Sequence, residues 1–237
     1  MPQNKVRVLC TRNLDQLLIS KAAAKNIFID AIPFIKTESL ETGEFTDLIN
    51  KLSSENIIAI ITSVNAAEGV FTHTNSAPNW KIFCTGGATK EYIKKHVPEK
   101  SITGTAKNAS LLAEKIIKMK PAENIYFFCG DQRLNDLPEK LRLNNMAVTE
   151  IVSYKTIQTP VNIEEDYDGI MFFSPSAVHS FFSLNTIHLN VTVFAIGITT
   201  AQVIHTYCIN KTLVSEWPGA ENMTMLTINY FEENKLD

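Results

Sequence analysis

The chain has 237 residues, 45% of them hydrophobic and 20% charged, a balance typical of a globular protein rather than a disordered one. Its formal net charge of −3 gives no long-range field that would gather nucleic acid, so an anionic ligand would have to be held by local donors. No apolar run approaches the roughly 18–20 residues of a membrane helix. The amino terminus enters a strand-like run with no signal-peptide core before it, which leads us to expect a cytoplasmic protein.

Taken in chain order, short runs of Val, Ile, Phe and Leu alternate with helical patterns. "VRVLCTR" (6–12) is followed by "LDQLLISKAAAKN", with Leu14, Leu17, Leu18 and Ala22 at helical spacing. "DAIPFIKTESL" (30–40) is different, being longer, extended and interrupted by a proline. The alternation then resumes with "IIAIITSVNAA" (57–67), "KIFCTGGAT" (81–89) and "SITG" leading into "NASLLAEKIIKM", where Leu111, Leu112, Ile116 and Met119 share a face. "IYFFCGDQR" (125–133) precedes "LPEKLRLNNM", and a second long extended stretch follows, "TEIVSYKTIQTPVN" (149–162). Last come "MFFSPSAV" (171–178), "VFAIGITTA" (193–201) and "TLVSEWPG", which leads into "ENMTMLTINYFEEN". Strands that read as continuous apolar runs are buried on both faces, so this alternation predicts parallel sheets covered by helices. The two extended stretches read as crossings near 32–38 and 150–159 between two α/β lobes. The first lobe would combine residues 1–35 with 157–237, and residues 36–156 would be inserted into it.

The four cysteines, Cys10, Cys84, Cys129 and Cys208, lie far apart without C-x-x-C spacing, as expected of reduced residues, most of them in strands. Phosphate loops, a G-x-S-x-G elbow and histidines at metal spacing are all missing. What recurs is an apolar run ending in small or hydroxyl residues. Thr62, Ser63, Thr85, Gly86, Ser174, Ser176, Gly197, Thr199 and Thr200 all fall at strand-to-helix junctions, where open parallel sheets bind ligands. Each hydroxyl could be only a helix cap, but together they suggest a lined cleft. Tyr154, on the second crossing, could be a packing residue or a proton donor.

The order and spacing of "VRVLCTR", "IIAIITSVNAAEGV", "IFCTGGATKEYI", "IYFFCGDQRLNDLPEKL", "VSYKTIQTP", "IMFFSPSAVHSFF", "VFAIGITTAQVI" and "SEWPGAENMTMLTI" resemble the uroporphyrinogen-III synthase family over essentially the whole chain. The resemblance implies two small flavodoxin-like α/β lobes, helices on both faces of each sheet, joined by a two-stranded linker. It further implies a monomeric lyase that works without metal or organic cofactor, on hydroxymethylbilane, a linear tetrapyrrole with eight carboxylates. Water leaves, an azafulvene forms on ring A, ring D attacks it, and a spiro intermediate recloses with ring D inverted. By the same resemblance Tyr154 is the catalytic candidate. The substrate-binding set is Thr11, Arg12, Thr62, Ser63, Asn65, Gly86, Ser174, Ser176, Ala177, Gly197, Thr199 and Thr200. No nucleic acid or membrane partner is implied, and a transient contact with the preceding pathway enzyme is. The chain departs from some members at Asn13, at Asn65 and at Thr192, where proline, a basic residue and lysine respectively stand in them. Main-chain amides therefore become the expected carboxylate ligands. A non-catalytic bilobed binder of anions or tetrapyrroles is the alternative.

Overall fold

A computed structural model describes residues 5–234, so the first four residues and the last three of the carboxyl-terminal tail lie outside it. In chain order the elements begin with β1 (Val6–Cys10), α1 (Gln16–Ala23), β2 (Ile27–Ala31), β3 (Ile35–Ser39), α2 (Gly43–Ser53), β4 (Ile58–Ile61) and α3 (Val64–Phe71). They continue through β5 (Lys81–Thr85), α4 (Ala88–Ile93), β6 (Ile102–Ala106), α5 (Ala109–Met119), β7 (Ile125–Gly130), α6 (Asp136–Leu143) and β8 (Val148–Gln158). The last are β9 (Gly169–Phe172), α7 (Pro175–Phe182), β10 (Thr192–Ala195), α8 (Ile198–Ile204), β11 (Thr212–Val214) and α9 (Ala220–Glu233). Among the described residues no helix is long and apolar enough to cross a membrane.

The chain divides into two compact units, one running to Lys36 and resuming at Ile157, the other spanning Thr37–Thr156. The stretch 30–40 is broken rather than continuous. β2 ends at Ala31, and β3 starts only after Pro33, whose ring nitrogen cannot donate to a ladder.

In the first unit the strand order is β11-β10-β9-β1-β2, and every pairing is parallel. This is the doubly wound order 2-1-3-4-5, which reverses direction between β1 and β9. Alternate residues feed opposite cores. Leu9, Ile170, Phe172, Val193 and Ala195 pack with Val178 and Phe181 of α7 on one face. Val8, Cys10, Met171 and Phe194 pack with Ala22 of α1 and with Met223 and Ile228 of α9 on the other.

The second unit holds a six-stranded sheet in the order β3-β8-β7-β4-β5-β6. Pairing from β8 through β6 is parallel, and the order reverses between β4 and β7. β4, "IAII", is buried on both faces. Ala59 and Ile61 join the core under α2 and α3, while Ile58 and Ile60 join the core under α5 and α6. α3 lies close on β8 because residue 69 is glycine, where a Cβ would collide with the Ser153 carbonyl oxygen.

Candidate active site

In each unit the junctions at the carboxyl ends of the strands nearest the order reversal hold predicted residues, and the two groups differ in kind.

In the second unit β4 delivers Ser63, β7 delivers Gly130, and β8 delivers Tyr154. Ser63 is the N-cap of α3, with extended backbone, and its Oγ accepts from the Ala66 N–H at 3.1 Å. Strict alternation along β8 would put Tyr154 on the face opposite Ile151, which is three residues away. The ladder with β7 slips, however. Cys129 pairs with Val152 and Gly130 with Tyr154, so Ser153 is an extra residue, a β-bulge. The bulge turns Tyr154 to the α3 side, against the same core that holds Ile151 and Phe128. Ser153 itself is buried, with its Oγ donating to Cys129 O at 3.3 Å and its carbonyl accepting from Leu40 N–H at 3.0 Å.

The phenol of Tyr154 lies over the α-carbon of Gly130. A Cβ built there would stand 2.5 Å from Tyr154 Cζ and 2.7 Å from its Oη, so glycine makes room for the ring. Burial raises the Tyr154 pKa above its ordinary value of 10, while a hydrogen bond with Ser63 pulls it down and the charges of Cys129 and Asp131 push it up. The half-buried phenol is therefore protonated at neutral pH.

Thr62 is joined to its neighbour strand by Thr85, whose Oγ1 donates to Thr62 O at 3.0 Å. Asn65 is half-buried in the first turn of α3. Gly86 is exposed, but its N–H is taken by Ala106 O at 2.9 Å. It faces a hollow of about 460 Å³ whose other walls include Lys107, Lys115 and Lys118.

In the first unit Thr11 and Arg12 follow β1, and Phe173 and Ser174 follow the adjacent β9. Thr11 is fully buried. Its Oγ1 donates to Met171 O at 2.8 Å, its N–H to the same oxygen at 3.1 Å, and its carbonyl accepts from Phe34 N–H. Both polar ends of this threonine thus stitch β1 to its neighbours. Arg12 is exposed, its guanidinium 5.4 Å from the centre of the Phe173 ring. Ser174 caps α7 by accepting from the Ala177 N–H at 3.1 Å, with Pro175 opening the helix. Ala177 and Ser176 are buried, so at this junction it is Ser174 that reaches the surface.

The start of α8, like that of α4, has a glycine in place of a capping side chain. Gly197 precedes it in extended conformation without a side-chain cap, and a Cβ added there would meet nothing within 4 Å. The first turn of α8 thus has no side-chain cap for its amides, and within it Thr199 is exposed whereas Thr200 is buried. The hydroxyls that look alike in the sequence are thus two helix caps, buried stitches, and an uncapped helix start. Gly130 and Phe173 had no part in the sequence-level site. The one signal for Gly130 is a glycine ending the apolar run of β7.

Together these features define a protein of two doubly wound α/β units with the predicted site residues at or near strand ends. The model of the family described as Uroporphyrinogen-III synthase HemD matches residues 19–225, and the chain belongs to that family. Among solved structures, uroporphyrinogen-III synthetase from Helicobacter pylori superposes with a TM-score of 0.65 at 13% identity, covering 95% of this chain and 99% of that one. A mutant uroporphyrinogen III synthase from the extremely thermophilic bacterium Thermus thermophilus gives 0.63 at 15% identity, covering 97% and 100%. Those identities speak to the fold. No curated protein sequence matches.

Proposed function

We propose that this chain dehydrates hydroxymethylbilane and closes it into uroporphyrinogen III, with ring D inverted. The family match over residues 19–225 carries the reading, and the Tyr154 group supports its chemistry. The phenol donates its proton to the departing hydroxyl, which leaves as water with the electrons of the C–O bond. Ring A becomes an azafulvene, and the substituted carbon of ring D attacks it. The spiro intermediate fragments and recloses, and the proton shed when the last ring becomes aromatic again restores the phenol. Every step moves only a proton, water or a carbon–carbon bond, so no cofactor is called for.

The protein's main contribution is orientation, because the bilane closes without inversion when left alone. The uncapped first turn of α8, with Ser174, Thr199 and Arg12, is suited to carboxylates, each charge-assisted hydrogen bond contributing roughly 1.5–3 kcal/mol. Thr11 acts from below, by tying its junction to Met171 of β9, and Ala177 and Thr200 are buried within their helices. We assign the activity to a cytoplasmic monomer, with at most a transient contact to the enzyme that supplies the bilane.

Incubating the purified protein with freshly made hydroxymethylbilane and resolving the products tests this directly. Isomer III is expected, and isomer I alone would make the protein a binder. Tyr154→Phe is expected to lower kcat by about 10²-fold, the scale of general-acid assistance.

A further inference from the structure

The loop that follows β7 does more than turn the chain toward α6. Asp131 donates its main-chain N–H to Tyr154 O at 3.2 Å, and its Oδ1 accepts the Thr156 N–H at 2.9 Å. Next to it, Gln132 Nε2 donates to Thr156 O at 3.2 Å. Three hydrogen bonds from two consecutive residues thus bracket the stretch 154–156 of β8. They lie immediately beyond the bulge at Ser153, where the regular ladder has slipped and cannot fix the direction of the next side chain. They also lie at the end of the second unit, whose last residue is Thr156. The ring of Tyr154 is set on one side by Gly130, and its backbone by the residue that follows Gly130. The tripeptide Gly130-Asp131-Gln132 therefore controls where the phenol sits.

We infer that Asp131, assisted by Gln132, is the positioning residue for the Tyr154 phenol, fixing the backbone of β8 at the bulge so that the hydroxyl stays in register with Ser63 and Gly130. Asp131 touches neither the phenol oxygen nor, on this assignment, the substrate, and it acts through Tyr154. The inference rests on the proposed role of Tyr154 for its effect on rate, but not for its effect on the tyrosine itself. The carboxylate has a second, separable influence, since its negative charge helps keep the phenol protonated.

The test compares Asp131→Ala, Asp131→Asn and Gln132→Ala in full-length protein labelled with ¹³Cζ-tyrosine, with the Tyr154 resonance assigned by its loss in Tyr154→Phe. Asp131→Ala is expected to move the Tyr154 resonance and to lower kcat by about tenfold, with KM within about twofold of wild type, because orientation rather than binding is lost. Asp131→Asn retains an acceptor for Thr156, so it recovers most of that loss. With the charge gone, Tyr154 then titrates at lower pH and the alkaline limb of the rate profile moves down with it. Gln132→Ala gives a smaller change in the same direction. A folded Asp131→Ala protein whose Tyr154 resonance, titration and kcat match wild type overturns the inference. So does a fall in kcat with the resonance unmoved, which would place the effect elsewhere. If wild-type protein yields no isomer III, the functional reading fails, and the resonance and its titration still decide whether Asp131 positions the ring.

Discussion

Replacing Gly130 by alanine should test whether the position of Tyr154 matters for the acid role we propose for it. The new methyl would stand 2.5 Å from Cζ, 2.7 Å from Oη and 2.8 Å from Cε2 of the Tyr154 ring. Ordinary carbon–carbon contact begins at about 3.5 Å, so the phenol must retreat by roughly 1 Å. The ring is half-buried and has somewhere to go, which puts the stability cost at the low end for overpacking, about 1 kcal/mol. For a chain of this size that lowers Tm by roughly 2–4 °C. Displacing a catalytic group by about 1 Å costs on the order of 10²-fold in rate. Activity should therefore fall far more than stability, with the product shifting toward isomer I as unassisted closure overtakes the enzyme. The assay is the initial rate of each isomer beside a thermal unfolding curve. In a Tyr154→Ala background, where no ring remains to be displaced, Gly130→Ala should add nothing to the loss. A folded Gly130→Ala protein with wild-type kcat and isomer ratio would refute the account of the phenol's placement.

Two further outcomes follow from the titrating groups. Tyr167 is buried and donates its hydroxyl to Asp30 Oδ2 at 3.0 Å, and burial first, then that bond, pushes its pKa from 10 up to about 12. A raised folded-state value favours the protonated phenol in the folded protein, so its contribution is complete below pH 10 and is lost as pH climbs toward 12. Urea unfolding midpoints should fall across that window, and Tyr167→Phe should flatten the fall; an unchanged slope would contradict the assignment. Burial likewise holds the thiols of Cys10, Cys84 and Cys129 at about 11, so at neutral pH a thiol reagent should label the half-exposed Cys208 in native protein and all four cysteines after unfolding. Rapid native labelling of three or more would mean that these strands open readily.

Much of the fold was legible because its strands are buried on both faces. "IAII" announces itself as apolar at every position, and a strand of that kind fits only between two layers of helix. The N-caps were legible for a similar reason, since Ser63 and Ser174 stand where an apolar strand gives way to helical spacing. Which hydroxyl does what was not legible. Thr11 and Thr199 look equally available in the sequence, yet one is tied to Met171 of β9 and to the Phe34 amide, and the other is exposed at an uncapped helix start. The face taken by Tyr154 was hidden too. It depends on one extra residue in β8, and a bulge leaves no mark in the alternation of Ile151, Val152 and Ser153. Gly130 was hidden because the need for glycine comes from a ring that arrives twenty-four residues later in the chain.

The way β1 is seated has a consequence for the order in which the protein is made. This strand lies between β2, which follows it almost at once, and β9, whose Met171 carbonyl receives both the N–H and the hydroxyl of Thr11 across 160 positions of sequence. While the ribosome works through the middle of the gene, the opening strands have a partner on one side only, and the central place in their sheet stays vacant. The stretch from Thr37 to Thr156 is continuous and can complete its own sheet during that interval. Chains truncated after β8 and released should thus carry a completed sheet in the Thr37–Thr156 unit and opening strands that still lack β9 and expose an edge.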